Sequence, residues 1–169
     1  MVKKKILIVE GNTREENSEF TAVGINTHTE SLIESINFYK KDLDISIANP
    51  SSDNNLKNSI DSLDKYDGMI WGGSSLNIYN DTDEIRRQIS FMRECQLKIK
   101  KIFAICWGLQ VAVTVAGGQV KKSEKGAHRG IAHNIKVNNI GSNHKIYLNK
   151  KRQFNSPAFN FDEVVKIPE

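Results

Sequence analysis

The stretch Ala104-Ile105-Cys106-Trp107-Gly108-Leu109-Gln110 decides the reading of this chain. Before it, Lys101-Ile102-Phe103-Ala104-Ile105 has the apolar continuity of a buried strand, and after it an apolar helical run ends at Gly117-Gly118. A cysteine between a strand and a helix, with small residues at Ala104 and Gly108 to permit a tight turn, is the pattern of a nucleophile elbow. Such a turn presents its side chain at the helix amino terminus, where the dipole and the unused N–H groups favour a thiolate. Cys106 is therefore the candidate nucleophile. An intracellular cysteine is ordinarily a small packed hydrophobe, and Cys95, three residues after Met92 on an amphipathic run, is read that way.

Working outward, Lys5-Ile6-Leu7-Ile8-Val9 is a continuous apolar run stopped by Glu10-Gly11-Asn12, as expected of a strand buried on both faces of a parallel sheet. The polar stretch after it reads as a loop. Thr27-His28-Thr29-Glu30 and Ser31-Leu32-Ile33-Glu34 both fit a capping box, and Leu32, Ile33, Ile36 and Tyr39 follow on one helical face. Residues 44–48 predict a second strand, and Leu56, Ile60 and Leu63 a short helix. Gly68-Met69-Ile70-Trp71 predicts a third strand that runs into Gly72-Gly73-Ser74-Ser75. Asn80 or Thr82 then caps a helix with Ile85, Ile89 and Met92 facing inward.

Strand and helix alternate four times, which predicts an α/β fold with a mainly parallel sheet and right-handed crossovers. Ligands of such sheets lie at the carboxyl ends of the strands, where Gly11, Gly72 and Cys106 fall. Beyond Gly118, residues 133–137, 145–148 and 164–167 read as short strands, a β-rich C-terminal extension of the sheet. The 169 residues suit one domain.

The net charge of +4 is spread over scattered lysines with no aromatic ladder beside them, so nucleic acid is not an expected partner. No run approaches the roughly 20 apolar residues of a membrane helix. After Met1-Val2-Lys3-Lys4-Lys5 only four apolar residues precede Glu10, which makes a strand and not an export signal. A cytoplasmic protein with reduced thiols is expected. No Cys-x-x-Cys or His-x-x-x-His spacing occurs, so no metal is expected. No cofactor is expected either, since Gly11-Asn12-Thr13 is too thin a phosphate loop for a flavin carrier.

Cys106-Trp107-Gly108-Leu109-Gln110 resembles the elbow of class I glutamine amidotransferases, and four further stretches agree in order. Residues 4–11 resemble the family's first strand, and the segment from Trp71-Gly72-Gly73-Ser74-Ser75 to Asp81 its oxyanion loop. Ala116-Gly117-Gly118-Gln119-Val120 resembles the close of its elbow helix, and residues 162–169 the acidic, valine-rich stretch before its last strands. The flavour is that of the GMP synthase-like glutaminases. The resemblance implies a flavodoxin-like three-layer fold and a cysteine that attacks the side-chain amide of glutamine, forming a thioester and releasing ammonia. By the same resemblance Cys106 is the nucleophile, the N–H groups of Gly73 and Trp107 line the oxyanion hole, and Gly72 and Gln110 bind the substrate.

The family's base and its orienting acid come from a His-x-Glu motif beyond the Asp-Glu-Val stretch, and no histidine follows Asp162 here. The chain is therefore expected to lack the last strand and helix of the domain. None of His28, His128, His133 and His144 matches the family's catalytic position, and Asn160 stands where relatives often carry a histidine outside the triad. The implied activity is a glutaminase feeding ammonia to an acceptor, on a synthase subunit or another substrate. A γ-glutamyl peptide hydrolase, or a non-catalytic binding module with an unfinished triad, are the alternatives.

Overall fold

A computed structural model describes residues 3–53 and 56–168, apart from the Asn58 side chain. Met1 and Val2 of the basic start, and Glu169 at the end of the valine-rich stretch, lie outside the described residues. Two compact units are present, one of residues up to Lys121 together with those from Val164 onward, the other Lys122–Glu163.

The first unit is built on four parallel strands, β1 (Lys4–Val9), β2 (Leu43–Ala48), β3 (Gly68–Trp71) and β4 (Ile102–Ala104), in the order β2-β1-β3-β4. Ile6 pairs with both Ile45 and Gly68, and Trp71 pairs with Ala104. Leu7, Ile8 and Val9 are all buried, which is why the sequence of β1 is apolar without alternation. The order begins as in flavodoxin-like sheets, and the direction of winding reverses between β1 and β3. The loops that follow these two strands both lie at the carboxyl edge of the sheet.

The helices are α1 (Arg14–Ala22), α2 (His28–Tyr39), α3 (Lys57–Asp61), α4 (Asp83–Lys98) and α5 (Trp107–Val115). The expected capping box at Thr27 and Glu30 opens α2. Thr82, with no side-chain capping bond, precedes α4. Ile85, Phe91, Met92 and Cys95 of α4 pack with Trp71, Trp107 and Val111 in one core. Two expectations need correction. The segment after Gly11 is not loop throughout: α1 forms there, capped by Thr13 and Glu16, although none of its residues is buried. Tyr39 ends α2 with 85% of its surface exposed, edge-on to Phe38, which is exposed as well, and outside the core.

In the second unit β6 (His128–Lys136) pairs antiparallel with β7 (Gln153–Asn160), and Asn134, at φ 58°, occupies the irregularity between Ala132 and Ile135. The connection holds α6 (Asn139–Ser142) and a 3-10 turn at Lys145–Tyr147. Residues 145–148 are thus not the expected strand, because the His144 side chain accepts the Ile146 N–H and closes a turn. Strands β5 (Gln119–Lys122) and β8 (Asp162–Lys166) pair with each other. The β-rich C-terminal part therefore forms two separate two-stranded sheets and does not extend the parallel one. Among the described residues no helix is long and apolar enough to cross a membrane.

Burial pushes the Cys95 thiol from its ordinary 9.0 up to about 12, with Glu94 adding to the effect and Lys98 opposing it. The folded chain thus holds this proton more tightly than the unfolded chain. The associated stability is complete below pH 9 and is lost as pH rises from 9 towards 12. We expect the urea midpoint to fall across that window and the fall to be shallower in Cys95→Ala, with midpoints measured by circular dichroism.

Candidate active site

Cys106 occupies the N-cap of α5 at φ 53° and ψ −108°, a left-handed conformation that costs a non-glycine residue about 1–3 kcal/mol. Strain of this kind at a strand-to-helix turn is the conformational mark of an elbow. It keeps the Cys106 side chain exposed while its neighbours Trp107 and Gly108 are buried. Gly108 is required by close approach: a Cβ there would overlap the Trp71 carbonyl oxygen and lie 2.8 Å from the Trp71 Cβ. The helix can therefore start directly against the end of β3.

The same contact positions the Gly72-Gly73 loop. The Gly108 N–H donates to the Gly72 carbonyl at 3.0 Å, and the Ile105 N–H donates to the Trp71 carbonyl at 2.9 Å. Among the described residues no peptide is cis, so the plane that sends the Gly72 carbonyl to Gly108 turns the Gly73 N–H to the opposite side. Gly73 is also tight on its outer face, where a Cβ would meet His28 Nδ1 at 3.2 Å.

A third loop closes the arrangement from beneath. A Cβ on Gly11 would lie 2.8 Å from Trp107 Cδ1 and 2.9 Å from the Gly73 carbonyl oxygen, so the loops after β1, β3 and β4 meet at this glycine. The Gly11 carbonyl accepts from Ser74 Oγ and from Gln88 Nε2, each at 3.0 Å. Gln88 Oε1 in turn accepts the Trp107 indole N–H at 2.7 Å. Beside it the buried Asn12 side chain accepts the Ser75 N–H and donates to Asn17, and its backbone N–H donates to the Glu10 carboxylate. Arg87 donates to the carbonyls of Pro50 and Ser51.

Of the residues singled out in the sequence, Cys106, Trp107, Gly72 and Gly73 are brought together. Gln110 lies one turn further along α5, with its backbone N–H on the Cys106 carbonyl and its Oε1 buried without a hydrogen-bond partner. His128, His133 and His144 belong to the second unit, whereas His28 lies against Gly73. Sequence reading missed the roles of Glu10, Asn12 and Gln88. The readable signal was Gln88 itself, a polar residue in register with Ile85 and Cys95 on an otherwise apolar face.

Sequence reading also passed over His28-Thr29-Glu30, which spells His-x-Glu. Its location rules against a base and its orienting acid. Residues two apart on a helix do not face one another, and the Glu30 carboxylate is engaged by the Thr27 N–H of the capping box at 2.8 Å.

The family model for class-I glutamine amidotransferases matches residues 25–165. The chain belongs to that family. Among relatives, it is 29% identical over 174 residues to a gamma-glutamyl-L-1-hydroxyisopropylamide hydrolase from a Pseudomonas species, covering 99% of this chain and 57% of that protein. It is 35% identical over 69 residues to gamma-glutamyl peptidase 3 of Arabidopsis thaliana, covering 41% and 28% of the two chains. Among solved structures, a glutamine amidotransferase from Thermotoga maritima superposes with a TM-score of 0.67 at 15% identity, over 96% of this chain and 63% of that one. A glutamine amidotransferase from Methylobacillus flagellatus gives 0.57 at 12% identity, over 99% and 59%. The structural likeness concerns the fold, and this chain spans less than two thirds of the length of each of these four proteins.

Because Gly11 is hemmed in by the Trp107 ring and a backbone carbonyl, Gly11→Ala should overpack the site and lower stability by about 1–3 kcal/mol. Urea unfolding of the variant against the wild type measures the loss.

Proposed function

We propose that this chain carries the nucleophile half of an enzyme that cleaves γ-glutamyl amides through a thioester on Cys106. The observation that carries the reading is the left-handed Cys106 at the start of α5, hydrogen-bonded through its neighbour Gly108 to the Gly72-Gly73 loop. In the first step the Cys106 thiolate attacks the γ-carbonyl carbon, and the carbonyl electron pair moves to oxygen. The N–H groups of Gly73 and Trp107 receive that charge. When the C–N bond breaks, the nitrogen takes a proton and leaves as ammonia or an amine. Water then attacks the thioester, returning the thiolate and releasing glutamate. Gln110 and the Gly72 backbone hold the glutamyl part.

The substrate we favour is a γ-glutamyl amine, with free glutamine as the second reading. Two observations pull in these two directions: the relatives above are a γ-glutamyl amide hydrolase and a γ-glutamyl peptidase, while the family model is that of glutamine amidotransferases. Delivery of ammonia to an acceptor on a synthase partner belongs to the second reading. This reading places none of the four histidines as the catalytic base. General acid–base assistance is worth about 10²- to 10⁴-fold, so the 169-residue chain should acylate but turn over slowly.

Incubation of the purified chain with γ-glutamyl p-nitroanilide should release one equivalent of p-nitroaniline per Cys106, its nitrogen taking a proton from water as the C–N bond breaks, because without a base the thioester left behind is hydrolysed slowly. Intact mass spectrometry after acid quench should find a γ-glutamyl adduct in the wild type and none in Cys106→Ala. Release that continues unchanged in Cys106→Ala would overturn the assignment, as would the absence of an adduct from the wild type. Competition by glutamine against γ-glutamyl ethylamide ranks the two substrate readings.

A further inference from the structure

Gln88 lies on the inner face of α4, fully buried, and is not part of the cysteine, the oxyanion loop or the elbow. Its carboxamide nevertheless joins two of them. The orientation is unambiguous on chemical grounds: an indole N–H only donates, so Oε1 must face Trp107, and Nε2 then faces the carbonyl of Gly11, which only accepts. The Gly11 carbonyl receives a second bond from Ser74 Oγ, the residue directly after Gly73. A continuous relay therefore runs from Ser74 through Gly11 and Gln88 to Trp107. At its two ends are the residues whose backbone N–H groups form the two halves of the oxyanion hole, Gly73 through its neighbour Ser74 and Trp107 directly.

We propose that Gln88 is a positioning residue for acylation at Cys106, coupling the Gly73 loop to the Trp107 elbow so that both N–H groups meet the developing oxyanion. The proposal rests on the reading of Cys106, Gly73 and Trp107 given above. A buried amide with both functions satisfied is directional, whereas packing alone leaves the Trp107 ring able to tilt about its side-chain torsions. Donors of an oxyanion hole act only at hydrogen-bond distance from the oxygen, so a small displacement of either loop is felt in the transition state before it is felt in binding.

Two reactions of the same thiol separate this role from mere support of the fold. Acylation by γ-glutamyl p-nitroanilide develops an oxyanion, whereas alkylation by iodoacetamide displaces iodide from an sp³ carbon and develops none. In Gln88→Met, which fills the space but cannot hydrogen-bond to either partner, the single-turnover acylation rate at saturation should fall by about 10- to 100-fold, short of the roughly 10²- to 10³-fold cost of deleting an oxyanion donor. The half-saturating concentration should stay within about twofold, and so should the iodoacetamide rate at Cys106. Gln88→Glu supplies the second variant. Its neutral acid can donate to Gly11 and accept from Trp107, while its carboxylate repels the Gly11 carbonyl. Its acylation rate relative to the wild type at the same pH should therefore recover as pH falls.

Acylation by Gln88→Met at the wild-type rate would overturn the proposal, and so would acylation and alkylation falling together. A Gln88→Glu ratio that does not change with pH would also overturn it, and this test stands if Gln88→Met does not fold. A wild-type chain that is alkylated but never acylated would instead sink the functional reading, and the proposal with it. The two failures are thus distinguishable.

Discussion

The absence of a side chain at Gly108 is the constraint on which the site depends. It lets α5 begin against the last residue of β3, so that the Gly108 N–H reaches the Gly72 carbonyl while also bonding the Ile105 carbonyl of its own turn. A larger residue would push the helix away from the sheet, and the strained backbone of Cys106 would relax with it. Parallel pairing of β3 with β4 brings the carboxyl ends of both strands to one edge, so the elbow and the Gly-Gly loop become neighbours without any long-range chain excursion.

Beneath that contact the protein buries three polar side chains, Glu10, Asn12 and Gln88. Asn12 and Gln88 have no exposed surface, and Glu10 is nearly as enclosed. Leaving such groups unpaired costs about 1–3 kcal/mol each, and each here has partners on a loop at the carboxyl edge of the sheet. Loops are usually the mobile part of an α/β domain. In this one the backbone carbonyl of Gly11 and the side chains of Asn12 and Gln88 turn three loops into a single hydrogen-bonded body. Pre-organisation of that kind suits an oxyanion hole, whose donors act best when they need not reorganise as charge develops.

The legible parts of the sequence were those governed by local rules. The elbow was readable because a cysteine between an apolar strand and an apolar helix has few alternatives, and α2 because Thr27 and Glu30 make a capping box. Helix α1 was passed over because it buries nothing and so has no apolar period, although Thr13 and Glu16 form the same box. Tyr39 continued the apolar spacing of α2 beyond the point where the core ends. Residues 145–148 read as a strand from their apolar run, yet the His144 imidazole and two backbone hydrogen bonds close them into a turn. His28-Thr29-Glu30 is the converse case: the letters match a catalytic motif and the helix geometry denies it.

By itself the sequence determined the α/β class, the alternation of parallel strands with helices, and Cys106 at the elbow, because apolar runs, helix capping and the tight turn at Gly108 are set by near neighbours in the chain. Tertiary structure alone decided how the thiol is framed. Gly11, Ser74, Gln88 and Trp107 come from four separate segments, and their hydrogen bonds exist only once the sheet order has brought those segments together. A polar residue on the apolar face of α4 signals that something must satisfy it, but burial makes the demand and only the fold supplies the partner.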